Sequence, residues 1–358
     1  SINTEIAANT AKVTNATHTG DVTGATALTI ATDAVDIAML SATGTAGNAT
    51  FLRGDNTWAA AGGGIGEFKG TSVAISSDDT AGSSDDGTSN GNISIGDEAN
   101  QNSTTGSFTI AIGENSLRNG GTGITHGIFI GANAASSATA SGTRNTAIGN
   151  NSISRLSSGT HNTVLGTYAG YNITTGDHNI GIGSSGLGYA FNGNALTGDY
   201  NIGIGFQSGH AISSGEQNEM IGYHAGYAVT TGARNTLMGT NAGAAVTTGG
   251  ANVIIGNNAG ELHTTSGYTV KIGYAAGQET NQTGVVFIGS QSGQAATGAD
   301  NTAVGRQTLA GSGSGANNSA FGNKALYANT TGAHNTATGK SALQNNTTGA
   351  SNTAVGQA

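Results

Sequence analysis

The sequence predicts an all-β fold: a parallel β-roll or β-solenoid of about sixteen 17-residue coils, assembled as a parallel homotrimer behind a short coiled-coil and β neck. Three observations predict it. A pentapeptide returns at a near-constant interval, β-branched residues hold fixed places within it, and the composition is far from that of an ordinary domain. Asn162-Thr163-Val164-Leu165-Gly166 recurs as Asn179-Ile180-Gly181-Ile182-Gly183 and as Asn201-Ile202-Gly203-Ile204-Gly205. Its last glycine appears sixteen times between Gly96 and Gly356, most often seventeen residues apart. A disordered chain has no reason to keep such a phase, whereas stacked coils require it.

Counting from the marker glycine as zero, position −1 is apolar in fifteen of sixteen units, and −3 is Ile, Val or Thr in all but Glu219 and Ser319. Period-two β-branched residues share one face of a short strand. Ile95, Ile112, Ile130, Ile148, Leu165, Ile182, Ile204, Ile221, Ile255, Ile272 and Ile288 are therefore expected to fill the roll. Position +3 is always small (Ala169, Ala225, Ala242), which predicts a second strand or corner where backbones approach closely. Thr-Thr-Gly or Ser-Ser-Gly at +8 to +10, as in Thr230-Thr231-Gly232, supplies the closing turn. Asn stands at −4 in twelve units, either as a hydrogen-bonded amide ladder or as a turn residue tolerant of left-handed φ.

Position −2 alternates with these and is expected to face outward. It is nevertheless apolar in most units: Phe129, Val164, Met220, Leu237, Ile254, Phe287 and Ala303 are the candidate trimer interface. A strand apolar on both faces is covered by something, and a second burial surface also suits a core this thin. Two residues strain the scheme. Lys271 occupies a −2 position, and Glu219 falls nominally inside the roll, each in need of a partner or trapped ion.

Composition sets the limits. The 358 residues include 62 Gly, no Pro and no Cys, and only 9% are charged, against roughly 25% in an average soluble domain. No disulfide or thiolate metal site exists, and collagen-like or Pro-rich stalks are excluded. A net charge of −9 argues against a nucleic-acid partner. No apolar run reaches the roughly 18 residues of a membrane span, so membrane insertion is not expected.

Ahead of the repeats, residues 1–13 read as the end of a coiled coil, with Ile2, Ile6, Asn9 and Val13 at heptad spacing. Residues 14–60 read as a β-rich neck with Trp58 as a packing anchor, 61–91 as a Gly/Ser/Asp-rich linker with a degenerate coil at Ser72–Ser76, and 92–358 as the roll. Arg53-Gly54-Asp55 is read as a turn rather than an integrin motif, and Asp78-Asp79 with Asp85-Asp86 as a solvated loop rather than a Ca²⁺ site.

Catalytic chemistry is not expected. Carboxylates in the coils are scattered, and hydrolysis of a polysaccharide canonically needs two of them about 5–10 Å apart. No cofactor or metal site is assigned. His126, Arg144, His161, His178, Tyr200, Arg234 and His334 share position −5, and this file of planar donors is the candidate glycan-contact surface.

Units such as Asn145-Thr146-Ala147-Ile148-Gly149 and Asn352-Thr353-Ala354-Val355-Gly356 resemble the repeats of the YadA-like head of trimeric autotransporter adhesins. The longer pattern is also similar to repeats in bacteriophage tail fibres. The run Ala11-Lys12-Val13-Thr14-Asn15-Ala16-Thr17-His18-Thr19-Gly20-Asp21-Val22-Thr23-Gly24 and the segment from Phe51 to Trp58 resemble phage fibre shafts. The resemblance implies a trimeric virion fibre of a tailed phage, a rigid spacer that binds other virion tail proteins and a host cell-surface glycan or protein. A bacterial trimeric surface adhesin is the alternative, at the cell surface instead of the virion. Threonine pairs at +8 and +9 leave an ice-binding or matrix-forming solenoid as a further class.

Overall fold

The computed structural model describes residues 91–358 except 121–122, 138–141, 190–192, 312 and 358, together with residues 81–82 and six short strands before them. The chain divides into two compact units, residues 1–63 and 64–358. In the first, β1 (Val22–Thr23) pairs antiparallel with β2 (Thr29–Ile30), and β3 (Thr50–Leu52) with β4 (Trp58–Ala60). The heptad seam of residues 1–13, the Arg53-Gly54-Asp55 tripeptide, the Trp58 side chain and the paired aspartates lie outside the described residues.

The second unit opens with β5 (Glu67–Lys69), antiparallel to β6 (Ser72–Ile75). From β6 onward every pairing is parallel. β7 (Ile93–Ile95) stacks on β6, and the ladder continues coil upon coil to β22 (Thr353–Val355). The sixteen strands β7 to β22 are three residues long and occupy −3 to −1 of each unit. Register is residue for residue: Thr163, Val164 and Leu165 face Thr146, Ala147 and Ile148 below and Ile180, Gly181 and Ile182 above. The fold is a parallel β-solenoid, and no helix occurs among the described residues.

Burial reverses the expected faces. The middle residue of each strand points into the coil, and the flanking pair points out. Phe129, Val164, Met220, Leu237, Ile254, Phe287 and Ala303 are fully buried within the single chain, so none can form a contact between copies. Of the residues expected to fill the roll, Ile148 is 36% and Leu165 48% exposed, while Ile95, Ile112, Ile130, Ile182, Ile204, Ile221, Ile255, Ile272 and Ile288 are partly exposed. A three-residue strand has one side chain on one face and two on the other. A narrow coil has room only for the one. Glu219, at −3, is consequently exposed, with Thr236 Oγ1 lying 3.5 Å from its Oε2.

Space inside the coil is divided between positions −2 and +4. Large −2 residues face glycine: Val164 with Gly170, Met220 with Gly226, Leu237 with Gly243, Ile254 with Gly260 and Phe287 with Gly293. Small ones face a large partner: Ala111 with Leu117, Ala147 with Ile153, Gly181 with Leu187, Ala303 with Leu309 and Ala320 with Leu326. The sum is held near constant, as close packing demands. Where Gly203 and Gly209 both leave room, Leu187 and Met220 from adjacent coils reach in. A third inward position, +7, supplies Leu156, Ile173, Ile212, Val229 and Val246.

Of the second strand or corner expected near +3, the corner is what forms, with no strand there among the described residues. That side consists of turns whose residues alternate between left- and right-handed backbone: φ is 139° at Gly166, 57° at Tyr168 and 59° at Gly170. Alternation swings successive amides up and down the stack. Tyr168 N donates to Asn150 O of the preceding coil at 2.9 Å, and Gly170 N to Gly186 O of the following one at 2.9 Å. Backbone groups are thus satisfied without a strand. The marker glycine has a different reason: a Cβ on Gly166 would stand 2.6 Å from Gly183 O.

The asparagines form the ladder. Asn218 Nδ2 donates to Asn201 Oδ1 at 3.0 Å and to Gly232 O at 2.9 Å, and its Oδ1 accepts from Asn235 N and Nδ2 at 3.1 and 2.9 Å. The left-handed turn residue is the one before it, Gln217, with φ of 56°. Threonine enters this column only where no asparagine follows. Thr269 Oγ1 donates to Asn252 Oδ1 at 2.8 Å, and the next coil carries Val285; Thr109 does the same below Gly127.

Candidate functional site

The seven candidate glycan-contact residues lie where the repeat places them, one per coil at an exposed corner. His126, Arg144, His161, His178, Tyr200, Arg234 and His334 all have φ between 57° and 59° and sit just before the buried ladder position. Left-handed φ aims each side chain off the corner instead of into the coil. The structure gathers some into a stack: His161 and His178 lie 4.7 Å apart at 4°, and His178 and Tyr200 5.0 Å apart at 17°. Asp177 closes the base of that stack, its Oδ1 accepting from Thr160 N at 2.6 Å. Arg144, Arg234 and His126 extend the file without joining this stack, although His126 stacks on exposed Phe108 at 5.1 Å. Among the described residues, no three His, Asp or Glu gather to hold a metal.

Lys271 needs no second chain. It points inward, and its Nζ donates to Thr280 O at 2.8 Å and Thr280 Oγ1 at 3.0 Å, with Gly277 O at 3.3 Å and His263 Nδ1 at 3.1 Å. His263 in turn donates from Nε2 to Ser266 O at 2.8 Å, which leaves Nδ1 to accept from the ammonium. Polar groups from positions −2 and +7 therefore replace the apolar filling here. The apolar core runs from Ala74 to Ala259 and resumes at Val285.

Burial lowers the Lys271 pKa to about 7, and burial together with the nearby ammonium lowers that of His263 to about 4. An unfolded lysine keeps its proton to about pH 10.5. Between pH 7 and 10.5 the unfolded chain therefore binds more protons, and stability rises with pH across that window. His263 adds a rise of the same sign between about pH 4 and 6.5. Lys271→Met, of similar volume, is expected to stabilise the roll by about 1–3 kcal/mol at pH 6 and to remove the alkaline slope. Unfolding measured at pH 6, 8 and 10 checks this; parallel profiles for the two proteins would refute it.

The largest ring assembly is one that the −5 column does not contain. Positions +1, +2, +5 and +6 of four consecutive coils carry eight rings in one connected belt. Tyr168 and Tyr171 meet Tyr189 at 4.8 and 5.7 Å. Tyr189 meets His210 edge-on at 5.8 Å, and His210 stacks on Tyr227 at 4.7 Å and 11°. Tyr227 lies 5.0 Å from His224, which stacks on Tyr223 at 3.9 Å, and Phe206 closes the group 5.6 Å from Tyr223. Phe206 and Tyr223 are 45% and 49% exposed. His224 Nε2 is tied to Gln207 Oε1 at 2.8 Å. His210, only 6% exposed, has an Nε2 without a hydrogen-bond partner, and burial followed by His224 lowers its pKa.

Tyr189 comes from the longest unit, the 22 residues between Gly183 and Gly205. Arg155 Nη1 anchors that unit, donating to Gly193 O at 3.0 Å and Asn172 Oδ1 at 3.1 Å. A signal for the belt exists in the sequence: six of the nine tyrosines fall between Tyr168 and Tyr227. It is hidden because the belt draws on four positions of the repeat at once, joining like positions in some coils, as His210 with Tyr227, and unlike ones in others, as Tyr168 with Tyr189.

The threonine pairs are divided. The +8 hydroxyls bond onward, Thr230 Oγ1 to Thr247 O at 3.2 Å and Thr247 Oγ1 to Thr264 O at 3.3 Å, while Thr231, Thr248 and Thr265 are exposed. Compared with known proteins, the chain matches no family model and no curated protein sequence.

Proposed function

We propose that the chain is a trimeric, β-roll-based virion fibre of a tailed phage, a rigid spacer that also attaches to a glycan or protein of the host surface. The observation that carries this reading is the outward face of the strands. Each coil completes its interior from positions −2, +4 and +7, yet the −1 column, apolar in every unit but that of Thr338, remains at least partly exposed beside a −3 column in which Ile and Val alternate with Thr. Leu165 is 48% and Phe321 41% exposed, and Glu219 is the only charged residue in either column. A face left in water would carry polar residues, and a continuous apolar stripe marks an interaction surface. Parallel sister copies cover such a stripe along its whole length, because identical rungs keep identical spacing.

The arrangement inverts the interface read from the sequence: Ile148, Leu165 and their column mates are the residues that meet across the shared axis. Resemblance of the amino-terminal text to fibre shafts favours a phage over a bacterial surface adhesin of the same architecture. The tied +8 hydroxyls leave one threonine file, which weighs against an ice-binding face.

Native mass measurement tests the proposal. The expected particle is three times the 34.9 kDa chain; a stable monomer would sink it. Ile148→Asp with Leu165→Asp is expected to yield monomers with an unchanged circular dichroism spectrum, since both side chains lie outside the coil. A double variant that stays trimeric would move the interface away from this stripe.

A further inference from the structure

Building on the attachment reading, we propose that the aromatic belt is the docking track for a neutral polysaccharide, which lies along the stack across four coils. Rings of Tyr171, Tyr189, Tyr227 and Tyr223 would pack against sugar faces, and His210 Nε2, covered in the free chain, would pair with a sugar hydroxyl once the flanking rings part. Four lines of observation carry this.

The belt is long and narrow. Coils repeat at the spacing of paired strands, so its four rungs span about 15 Å, a shape suited to an extended chain. One rung is also close to the length of one pyranose unit, so successive sugars can meet equivalent rings. None of its eight rings belongs to a permanently charged residue, whereas an acidic or basic polymer would call for ion pairs. Apolar ring faces beside tyrosine hydroxyls suit a molecule with C–H faces and hydroxyl edges.

The second observation is independent of the rings. His210 is buried between Tyr189 and Tyr227, yet its Nε2 has no partner. Buried polar atoms are almost always paired. A hydroxyl, which both donates and accepts, satisfies this nitrogen in either tautomer. The third is the lengthened unit: the one 22-residue interval supplies Tyr189 to the belt. Departures of a regular scaffold into longer loops are where binding residues concentrate. Finally, the belt uses turn positions, not the strand columns assigned to the trimer, so assembly leaves it available.

The test uses the full chain. Binding is read on an array of neutral bacterial polysaccharides, then by titration calorimetry with the polysaccharide bound best. Tyr171→Ala with Tyr227→Ala is expected to weaken binding by about tenfold or more. Tyr171→Phe with Tyr227→Phe, which keeps the rings, is expected to retain it and guards against a folding defect in the alanine pair. Tyr274→Ala with Tyr327→Ala, exposed rings outside the belt, is expected to leave affinity unchanged, while His178→Ala with Tyr200→Ala tests the −5 file as the rival surface.

If only the −5 variant loses binding, the belt inference falls and the attachment reading stands. If the wild-type chain binds no neutral polysaccharide on the array, the belt inference is overturned. Adhesion to bacterial cells that protease treatment abolishes would then support attachment to a protein receptor. Absence of both sugar and cell binding would overturn attachment as well.

Discussion

Gly243→Leu is expected to destabilise the roll by about 2–4 kcal/mol, and Leu237→Ala to relieve much of that loss when added to it. A Cβ at Gly243 would stand 2.9 Å from Leu237 Cδ2, 3.1 Å from Val246 Cγ2 and 3.4 Å from Ile254 Cδ1. The interior is full, so a leucine there must displace something. Left-handed backbone is not the obstacle, since Leu117, Leu326 and Leu343 occupy the same position with φ of 50° to 52°. What differs is their partner at −2, which is alanine in all three coils.

Leu237→Ala alone removes buried methyl groups and is expected to cost about 2–5 kcal/mol. Together the substitutions recreate the Ala320–Leu326 arrangement. Ile153 beside Leu156 shows that a large +4 residue is compatible with a large +7 neighbour such as Val246. The double-mutant cycle is expected to yield a coupling of about 2 kcal/mol or more, measured by denaturant unfolding of the four proteins. Additive losses would mean that the −2 and +4 residues do not share one space.

Asn218→Leu is expected to be as damaging, by about 3–6 kcal/mol. The replacement is close in size, so packing changes little. It strips the acceptor from Asn235 N and Nδ2 and the donor from Gly232 O, all shielded from water. Asn218→Thr is expected to cost less, because a hydroxyl at this position still donates to the preceding Oδ1, as Thr269 does to Asn252. The ordering Asn, Thr, Leu in chemical denaturation checks the ladder. Equal losses for Thr and Leu would show that side-chain bonds contribute little beyond shape.

The period, the strand in each unit and the asparagine column were legible from the sequence, because every coil repeats them. Which face points inward does not follow from the period-two pattern, for a physical reason. Apolar residues at −3 and −1 share one face, but in a three-residue strand that face is the outer one, and Ile148 and Leu165 lie on it. Interior positions are instead the variable ones: Gly181, Ala147 and Phe129 share one column because each is balanced by a partner six residues later. That balance is visible within single units. The left-handed turns at Tyr168 and Leu187 were not legible, since neither residue type favours such backbone; the inter-coil hydrogen bonds that impose it appear only on stacking. Of the candidate surfaces, the −5 file followed directly from the repeat, whereas the belt depends on neighbours seventeen or more residues apart.

The amide ladder also gives the rod a chemical direction. Within the ladder, the amide-to-amide bonds run one way: Asn218 donates to Asn201 below it and its Oδ1 accepts from Asn235 above. A freshly wound rung therefore offers an unfilled carbonyl oxygen to the segment that emerges after it. Winding can proceed behind a ribosome as vectorial accretion, each loop templated by its predecessor, and two such cylinders meeting end to end are matched only head to tail.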